Sequence, residues 1–308
     1  MVNKIEKNIL LSKYTSYKIG GPAKYFFNVT NEEELIYALN FAKKNKLKVF
    51  VLGGGSNLLI SDKGFKGLVI RMNISDIQIE GKKAYAGAGA QLPKFAYLLS
   101  EKGLSGLEWA AGIPATLGGS IYGHAQAFGT KISDVVESVR ALDLKTLKIK
   151  NFSKSQCKFS LKNSIFKKQK NLIIISADLI FEEKEVQEVK DKVKELIEYR
   201  RARHPGFPSA GSAFVNPEIK IKNKKLLEKF PELNDFNIKG FIPAGYLIEK
   251  TGIQGTKIGN AQISEKHANF IVNLGGAKSK DVIKLIKLAQ RKVKQMFDIN
   301  LEPEVQIL

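Results

Sequence analysis

Several segments of this chain carry residue types in an order that can do chemistry. Val51-Leu52-Gly53-Gly54-Gly55-Ser56-Asn57-Leu58-Leu59 runs an apolar stretch into a triple glycine and then Ser-Asn. Glycines let a backbone come close to a ligand, and successive N–H groups in such a turn form a cavity for anions. After the mostly apolar run Leu47 to Leu52, this reads as a strand delivering a phosphate-binding loop. It is neither the Gly-x-Gly-x-x-Gly dinucleotide fingerprint nor a P-loop, and a tight surface turn stays open as an alternative. Gly112-Ile113-Pro114-Ala115-Thr116-Leu117-Gly118-Gly119-Ser120-Ile121-Tyr122-Gly123 is a second cluster, too uncharged for an ordinary solvent loop. Thr116 and Ser120 add hydroxyls. Two such loops suggest an extended cofactor with a pyrophosphate and a broad ring; the plainer alternative is a pair of buried turns.

Further along, Pro208-Ser209-Ala210-Gly211-Ser212-Ala213-Phe214-Val215-Asn216-Pro217 sets a serine between glycine and apolar residues. It lacks the Gly-x-Ser-x-Gly nucleophile elbow. A serine that donates a proton needs only one good hydrogen-bond contact to the developing carbanion or enol, and a capped turn is the structural alternative. Gly259-Asn260-Ala261-Gln262-Ile263-Ser264-Glu265-Lys266-His267-Ala268-Asn269 packs amides, a lysine and a histidine ahead of a strand, a set able to hold phosphate and a uracil or sugar edge. Glu304 stands in Leu301-Glu302-Pro303-Glu304-Val305, where strand alternation puts Glu302 and Glu304 on one face. A solvated edge face is the alternative there.

The elements that must position these residues follow from the hydrophobic spacing. Thr30-Asn31-Glu32-Glu33 reads as a capping box opening a helix with Leu35, Leu39 and Ala42 inward, and the strand Leu47 to Leu52 follows. Gly67 to Met72 is a further strand, and Ile77 to Ile79 with Ala84 to Ala86 form an antiparallel pair turning at Gly81. Leu92 to Lys102 is helical and ends at Gly103. Val135 to Leu142 and Leu172 to Phe181 are long strands rich in Val, Ile and Leu. Val186, Val189, Val193, Leu196 and Ile197 line one face of a charged helix running toward Arg203. His204-Pro205-Gly206-Phe207-Pro208 cannot continue it, so a domain boundary falls there. Beyond lie a helix near Pro243 to Lys250, a strand Asn269 to Asn273, a helix Ser279 to about Phe297, and a closing strand Leu301 to Leu308. No internal repeat is visible.

Composition narrows the class. The 308 residues suggest about two domains, and 44% hydrophobic residues can bury a sizeable core. No apolar run is long enough to span a bilayer, and Met1-Val2-Asn3-Lys4 opens without the apolar core of a signal peptide, so a cytoplasmic protein is expected. Cys157 is the only cysteine, and His124, His204 and His267 are widely spaced, so no metal site is expected. The net charge of +20 suits an anionic substrate. The lysines are spread throughout without interleaved aromatics, which argues against a nucleic-acid surface.

Taken together these segments resemble the UDP-N-acetylenolpyruvoylglucosamine reductase family, flavoenzymes that make UDP-N-acetylmuramate for bacterial cell walls. The similarity runs in order from Thr15-Ser16-Tyr17-Lys18-Ile19-Gly20-Gly21-Pro22-Ala23 through Gly53-to-Leu59, Gly112-to-Gly119, Pro208-to-Pro217 and Ser264-Glu265-Lys266-His267-Ala268-Asn269-Phe270 to Pro303-Glu304-Val305. The form without a large insertion in the substrate domain fits best. The resemblance implies an α+β fold: an FAD-binding domain of the p-cresol methylhydroxylase/vanillyl-alcohol oxidase type, then a smaller α+β substrate-binding domain. Residues 1–203 would be the FAD-binding region, in subdomains of about 1–72 and 73–203. Residues 204–300 would bind substrate, and 301–308 would form the terminal strand carrying Glu304.

It also implies the chemistry: NADPH as donor, FAD as cofactor, and UDP-N-acetylglucosamine enolpyruvate as substrate in peptidoglycan precursor synthesis, by a monomer with no nucleic-acid partner and no membrane insertion. FAD would rest its pyrophosphate on Gly53, Gly54, Gly55, Ser56 and Asn57 and its ring near Gly112, Thr116, Gly118 and Gly119. Ser212 matches the family's proton donor and Glu304 the carboxyl group that assists it. Asn216, Lys266 and His267 would hold substrate.

The chain departs from the family's pattern in three places. Leu161 and Lys162 stand where a Tyr-Arg pair is usual, which makes Lys162 the expected catalytic cation without the planar fork of arginine. His124-Ala125-Gln126-Ala127-Phe128-Gly129 replaces Asn-Ala-Gly-Ala-Tyr-Gly, and Val215 replaces a lysine. The competing readings are a non-catalytic FAD- or UDP-sugar-binding paralogue and a flavin oxidase with another substrate. Retention of Ser212 and Glu304 speaks against the first, and the intact Ser264-to-Asn269 segment against the second.

Overall fold

The computed structural model describes residues 4–308; Met1, Val2 and Asn3, part of the opening read above for a signal peptide, lie outside the described residues. The backbone forms two compact units. The first holds residues up to Ile9, Ala23–Gly55 and Phe65–Ala202; the second holds Leu10–Pro22, Ser56–Gly64 and Arg203–Leu308. The last crossing falls at Ala202–Arg203, and another falls inside the first glycine loop, between Gly55 and Ser56.

In the first unit Phe65–Met72 lies between Pro22–Val29 and Val49–Leu52, parallel to both, with Glu6–Leu10 at the edge. The helix Glu32–Lys44 is the crossover that carries the chain from Pro22–Val29 to Val49–Leu52, the two parallel strands that flank Phe65–Met72. Its cap sits one residue later than the sequence suggests. Asn31 Oδ1 accepts from the Glu34 N–H at 2.9 Å, and Glu34 Oε2 reaches back to the Thr30 N–H and hydroxyl, each at 2.8 Å. That reciprocal closure explains a buried glutamate.

A second, antiparallel sheet has the order Lys148–Ser153, Val136–Asp143, Leu172–Ile180, Lys83–Gly87, Ile77–Glu80. Val139, Ile175 and Leu179 are fully buried and share one core with Phe27, Leu35, Phe95, Trp109 and Phe166. Part of the second glycine cluster corrects its reading as a loop: Leu117–Gly123 is a helix, with Thr116 Oγ1 accepting from the Gly119 N–H. Gly118 and Gly119 oppose helix formation locally, and burial of Leu117 and Ile121 in the core overrides them.

The second unit is a four-stranded antiparallel sheet, ordered Ser209–Ser212, Phe270–Asn273, Ala261–Ile263, Lys257–Ile258, against the helix Ser279–Phe297. Val282, Ile286, Ala289 and Val293 recur at helical spacing and are buried against Leu247, Ile263 and Ile271. Full burial of such side chains contributes about 1.5–3 kcal/mol for each Val or Ile. The terminal strand is shorter than expected: only Gln306–Ile307 pairs, parallel to Leu58–Leu59. Pro303 has no N–H to donate, so residues 302–304 join Phe214 through an isolated bridge instead of a full ladder.

Candidate active site

The two glycine clusters, remote in sequence, lie against one another within the first unit. A Cβ on Gly53 would meet Thr116 Oγ1 at 2.6 Å, and one on Gly54 would meet the Pro114 carbonyl at 2.7 Å. Any side chain at either position would hold the loops apart. Gly53 therefore leaves room for the Thr116 hydroxyl and Gly54 for the backbone at Pro114, a loop-to-loop contact beside the ligand role that the glycines also suit. In the second cluster the Gly118 amide donates to the Ala88 carbonyl at 2.8 Å and the Leu117 amide to Ala90 at 2.9 Å. By contrast, the amides of Gly54 and Ser56 donate to no backbone carbonyl among the described residues. Gly112 takes a left-handed turn (φ 80) beside Arg200, whose buried guanidinium donates to the Trp109 and Ala111 carbonyls.

The helix that begins after Thr116 ends at His124, and there it meets the segment of Lys162. Ser160 and Asn163 exchange two backbone hydrogen bonds of 3.0 Å, so Leu161 and Lys162 form the tip of a tight turn. Lys162 is half-buried and left-handed (φ 51), and its carbonyl accepts from Lys167 Nζ at 2.8 Å. Lys162, Gly53–Gly55 and the second glycine cluster thus all belong to the first unit.

The second unit gathers Asn57, Ser212 and Glu304. The Glu304 N–H donates to the Ala213 carbonyl at 2.9 Å, and the Val215 N–H donates to the Glu302 carbonyl at 3.0 Å. Glu304 is therefore tied to the residue that follows Ser212. On the other edge, Asn269 clamps Phe214: its Oδ1 accepts from the Phe214 N–H at 3.0 Å and its Nδ2 donates to the Phe214 carbonyl at 2.9 Å. The sequence marks Asn269 only as one amide of the Gly259-to-Asn269 segment; its pairing with Phe214 is not legible there, since nothing local marks a side chain that pairs like a strand. Ser212 follows a register shift in its strand at Gly211 (φ 75), and such a bulge re-aims the next side chain.

Asn57 Nδ2 donates to the Glu304 carbonyl at 3.1 Å, leaving Oδ1 buried with no partner. That orphan is an acceptor, so it suits a ligand N–H or hydroxyl and not a phosphate oxygen. Ser120 Oγ is likewise buried without a partner, beside Thr116. In the first unit the open Gly54 amide and the Ser120 hydroxyl suit a ligand that offers phosphate or hydroxyl groups; in the second the Ser56 amide and Asn57 Oδ1 suit one that offers phosphate and N–H or hydroxyl groups.

The remaining candidates also lie in the second unit. The Ser264 hydroxyl accepts from the Lys266 N–H at 3.1 Å and the His267 N–H at 3.3 Å, and Lys266 is exposed. His267 Nδ1 accepts from the Asn269 N–H at 3.2 Å, so in the neutral ring Nε2 carries the proton. Burial holds the His267 pKa below its ordinary value, which favours that neutral donor form. Asn216 Oδ1 accepts from the Ala244 N–H at 3.0 Å and so anchors the helix Ala244–Lys250. Among the described residues no group of His, Cys, Asp and Glu is placed to hold a metal ion, and no helix is long and apolar enough to cross a membrane.

Residues 23–150 match an FAD binding domain, which defines the class: a flavoprotein whose FAD-binding domain is followed by a second α+β domain. Residues 203–308 match the C-terminal domain of UDP-N-acetylenolpyruvoylglucosamine reductase. A reductase of that name from Caldanaerobacter subterraneus subsp. tengcongensis is 37% identical over 99% of this chain and 94% of its own length. The one from Prochlorococcus marinus subsp. pastoris is 39% identical over 98% and 96%. The crystal structure of the Thermus caldophilus reductase superposes with a TM-score of 0.78 at 30% identity, covering 99% of this chain and 98% of that one. The chain belongs to the UDP-N-acetylenolpyruvoylglucosamine reductase family, FAD-dependent oxidoreductases.

Proposed function

We propose that this protein reduces UDP-N-acetylglucosamine enolpyruvate to UDP-N-acetylmuramate with NADPH as the hydride source, a cytoplasmic step of peptidoglycan precursor synthesis, and that it acts as a monomer. The observation that supports the reading is the backbone tie of Glu304 to Ala213, the residue after Ser212, in a chain of this family. FAD, when bound, would supply the hydride chemistry that links NADPH to the methylene carbon of the enolpyruvyl ether.

The chain's own residues supply the rest. Ser212 Oγ–H gives its proton to the neighbouring ether carbon, and the hydroxyl is restored from solvent. Glu304 assists at that carbon, its position set by Ala213 and Asn57. Lys162 supplies positive charge to the substrate carboxylate as electron density accumulates there. Gly53, Gly54, Gly55 and Ser56 offer backbone to the pyrophosphate. Asn57 Oδ1 would accept from a cofactor N–H or hydroxyl, and Gly112, Thr116, Gly118 and Gly119 would hold its ring system. Asn216, Lys266 and His267 bind the substrate, with neutral His267 donating from Nε2.

A non-catalytic paralogue is not favoured, because the supports of Ser212 and Glu304 are as complete as the residues themselves. Incubating the purified protein with NADPH and the enolpyruvyl substrate, with the product weighed by mass spectrometry, tests the reading. The product should gain one hydride and one proton. NADPH consumption that depends on oxygen and leaves the enolpyruvyl group intact would make the protein an oxidase.

A further inference from the structure

The helix Leu117–Gly123 ends on a residue that does more than close it. His124 is left-handed (φ 46, ψ 61), buried, and bonded at both ring nitrogens. Nδ1 lies 2.6 Å from the Ser160 carbonyl and Nε2 lies 2.8 Å from Ser133 Oγ. A carbonyl can only accept, so Nδ1 carries a proton, and in the neutral ring Nε2 accepts from the Ser133 hydroxyl. The ring also stacks on Phe159, with centroids 4.9 Å apart at 27°.

Ser160 is the first residue of the turn whose tip is Leu161-Lys162. At the other end of that turn, Ser164 Oγ donates to the Tyr122 carbonyl at 2.8 Å. The two bonds pin both ends of the turn to the end of one helix, at Tyr122 and His124. Left-handed backbone is unfavourable for a long side chain such as Lys162 and persists where surrounding bonds over-determine it.

We infer that His124 is a positioning residue for Lys162: its Nδ1–H bond to Ser160 seats the turn and thereby sets where the ammonium group projects. The inference rests on the catalytic reading of Lys162 given above. It separates two things the ring does, donating a hydrogen bond and packing on Phe159, and assigns the positioning to the first.

Two substitutions divide them. Glycine adopts the left-handed backbone freely, so His124→Gly removes donor and ring without straining the helix end. Asparagine also tolerates this conformation and carries its amide nitrogen where Nδ1 stands relative to Cγ, so His124→Asn keeps the donor and loses the ring.

The test measures hydrogen exchange at the Asn163 amide, which donates to the Ser160 carbonyl and reads the turn independently of turnover. Alongside it, anaerobic reoxidation of the NADPH-treated protein by the enolpyruvyl substrate is followed in wild type, His124→Gly, His124→Asn, Lys162→Met and His124→Gly/Lys162→Met. Bound FAD is quantified in each. His124→Gly should keep its FAD, exchange the Asn163 amide roughly tenfold faster or more, and reoxidise about 10- to 100-fold more slowly. His124→Asn should restore protection and most of the rate. In the Lys162→Met background His124→Gly should cost nothing further, because the group it positions is gone. Equal protection in all proteins, an additive loss in the double variant, or a His124→Asn as slow as His124→Gly overturns the inference. If Lys162→Met alone reoxidises at the wild-type rate, the reading of Lys162 falls and the positioning role with it; the Asn163 amide then still shows whether the bond holds the turn.

Discussion

The side-chain amide of Asn57 donates to the Glu304 carbonyl at 3.1 Å, and the Gln306 N–H returns a bond to the Asn57 carbonyl at 3.0 Å. A residue that sequence reasoning assigns to a cofactor loop thus holds the carboxylate residue of the second unit. Asn57→Ala should lower stability by about 1 kcal/mol in a urea titration, the usual net contribution of such a bond. Its reoxidation by substrate should slow more than its bleaching by NADPH. A variant with wild-type stability and wild-type reoxidation would contradict the link.

Ser212→Ala should still be bleached by NADPH, since that half-reaction needs no proton from the serine. Reoxidation by the enolpyruvyl substrate should slow by roughly 10²–10⁴-fold, the usual contribution of general acid catalysis. Glu304→Gln should show the same split. Stopped-flow absorbance of each half-reaction checks it, and equal losses in both halves would point to damaged FAD binding instead.

Much of the fold is legible in the sequence where one period dominates. Val282, Ile286, Ala289 and Val293 mark the long helix, and the antiparallel strands Ile77–Glu80 and Lys83–Gly87 turn at Gly81 as read. The strand Lys148–Ser153 carries no such mark, because an exposed edge tolerates lysines at alternate positions. The helix Leu117–Gly123 escaped because its glycines disfavour helix while the core enforces it. At the site, glycine clusters and a lone serine can be read locally. The Asn269 clamp, the His124 bond to Ser160 and the Asn57 bond to Glu304 join residues far apart in sequence, and no local pattern records such pairings.

Lys162 is proposed to act by charge, so Lys162→Arg should remain active within a modest factor. Lys162→Met, of similar bulk, should lose most of the substrate half-reaction. Rapid-mixing reoxidation of the two variants distinguishes charge from packing. A Lys162→Met protein that reoxidises as fast as wild type would remove the lysine from the mechanism.

FAD should be held without a covalent bond. His124, the residue near the glycine clusters with chemistry suited to such a link, has both ring nitrogens in hydrogen bonds. Acid precipitation should leave the yellow colour in the supernatant; colour retained in the pellet would show a covalent flavin.

Asp143, at the start of a hairpin turn, accepts from Lys150 Nζ at 2.7 Å, the Lys145 N–H at 2.9 Å and the Asn171 amide at 3.0 Å. Lys150 first, then the two amide donors, hold its carboxyl well below the usual carboxylate range. A lowered folded-state pKa gives stability that is present above the unfolded value and lost as pH falls through the folded one. Asp143→Asn should therefore melt lower than wild type at neutral pH, with the gap narrowing below about pH 4. A constant gap across a pH series of melting curves would exclude the ionic contribution.

The most direct measurement is made without oxygen. The FAD-loaded protein is bleached by one equivalent of NADPH, stripped of nucleotide, and mixed with UDP-N-acetylglucosamine enolpyruvate. The yellow colour should return at a rate that rises with substrate and saturates, with one UDP-N-acetylmuramate formed for each flavin reoxidised. A flavin that stays bleached with this substrate, yet reoxidises at once when air is admitted, would contradict the assignment of this reaction to the chain.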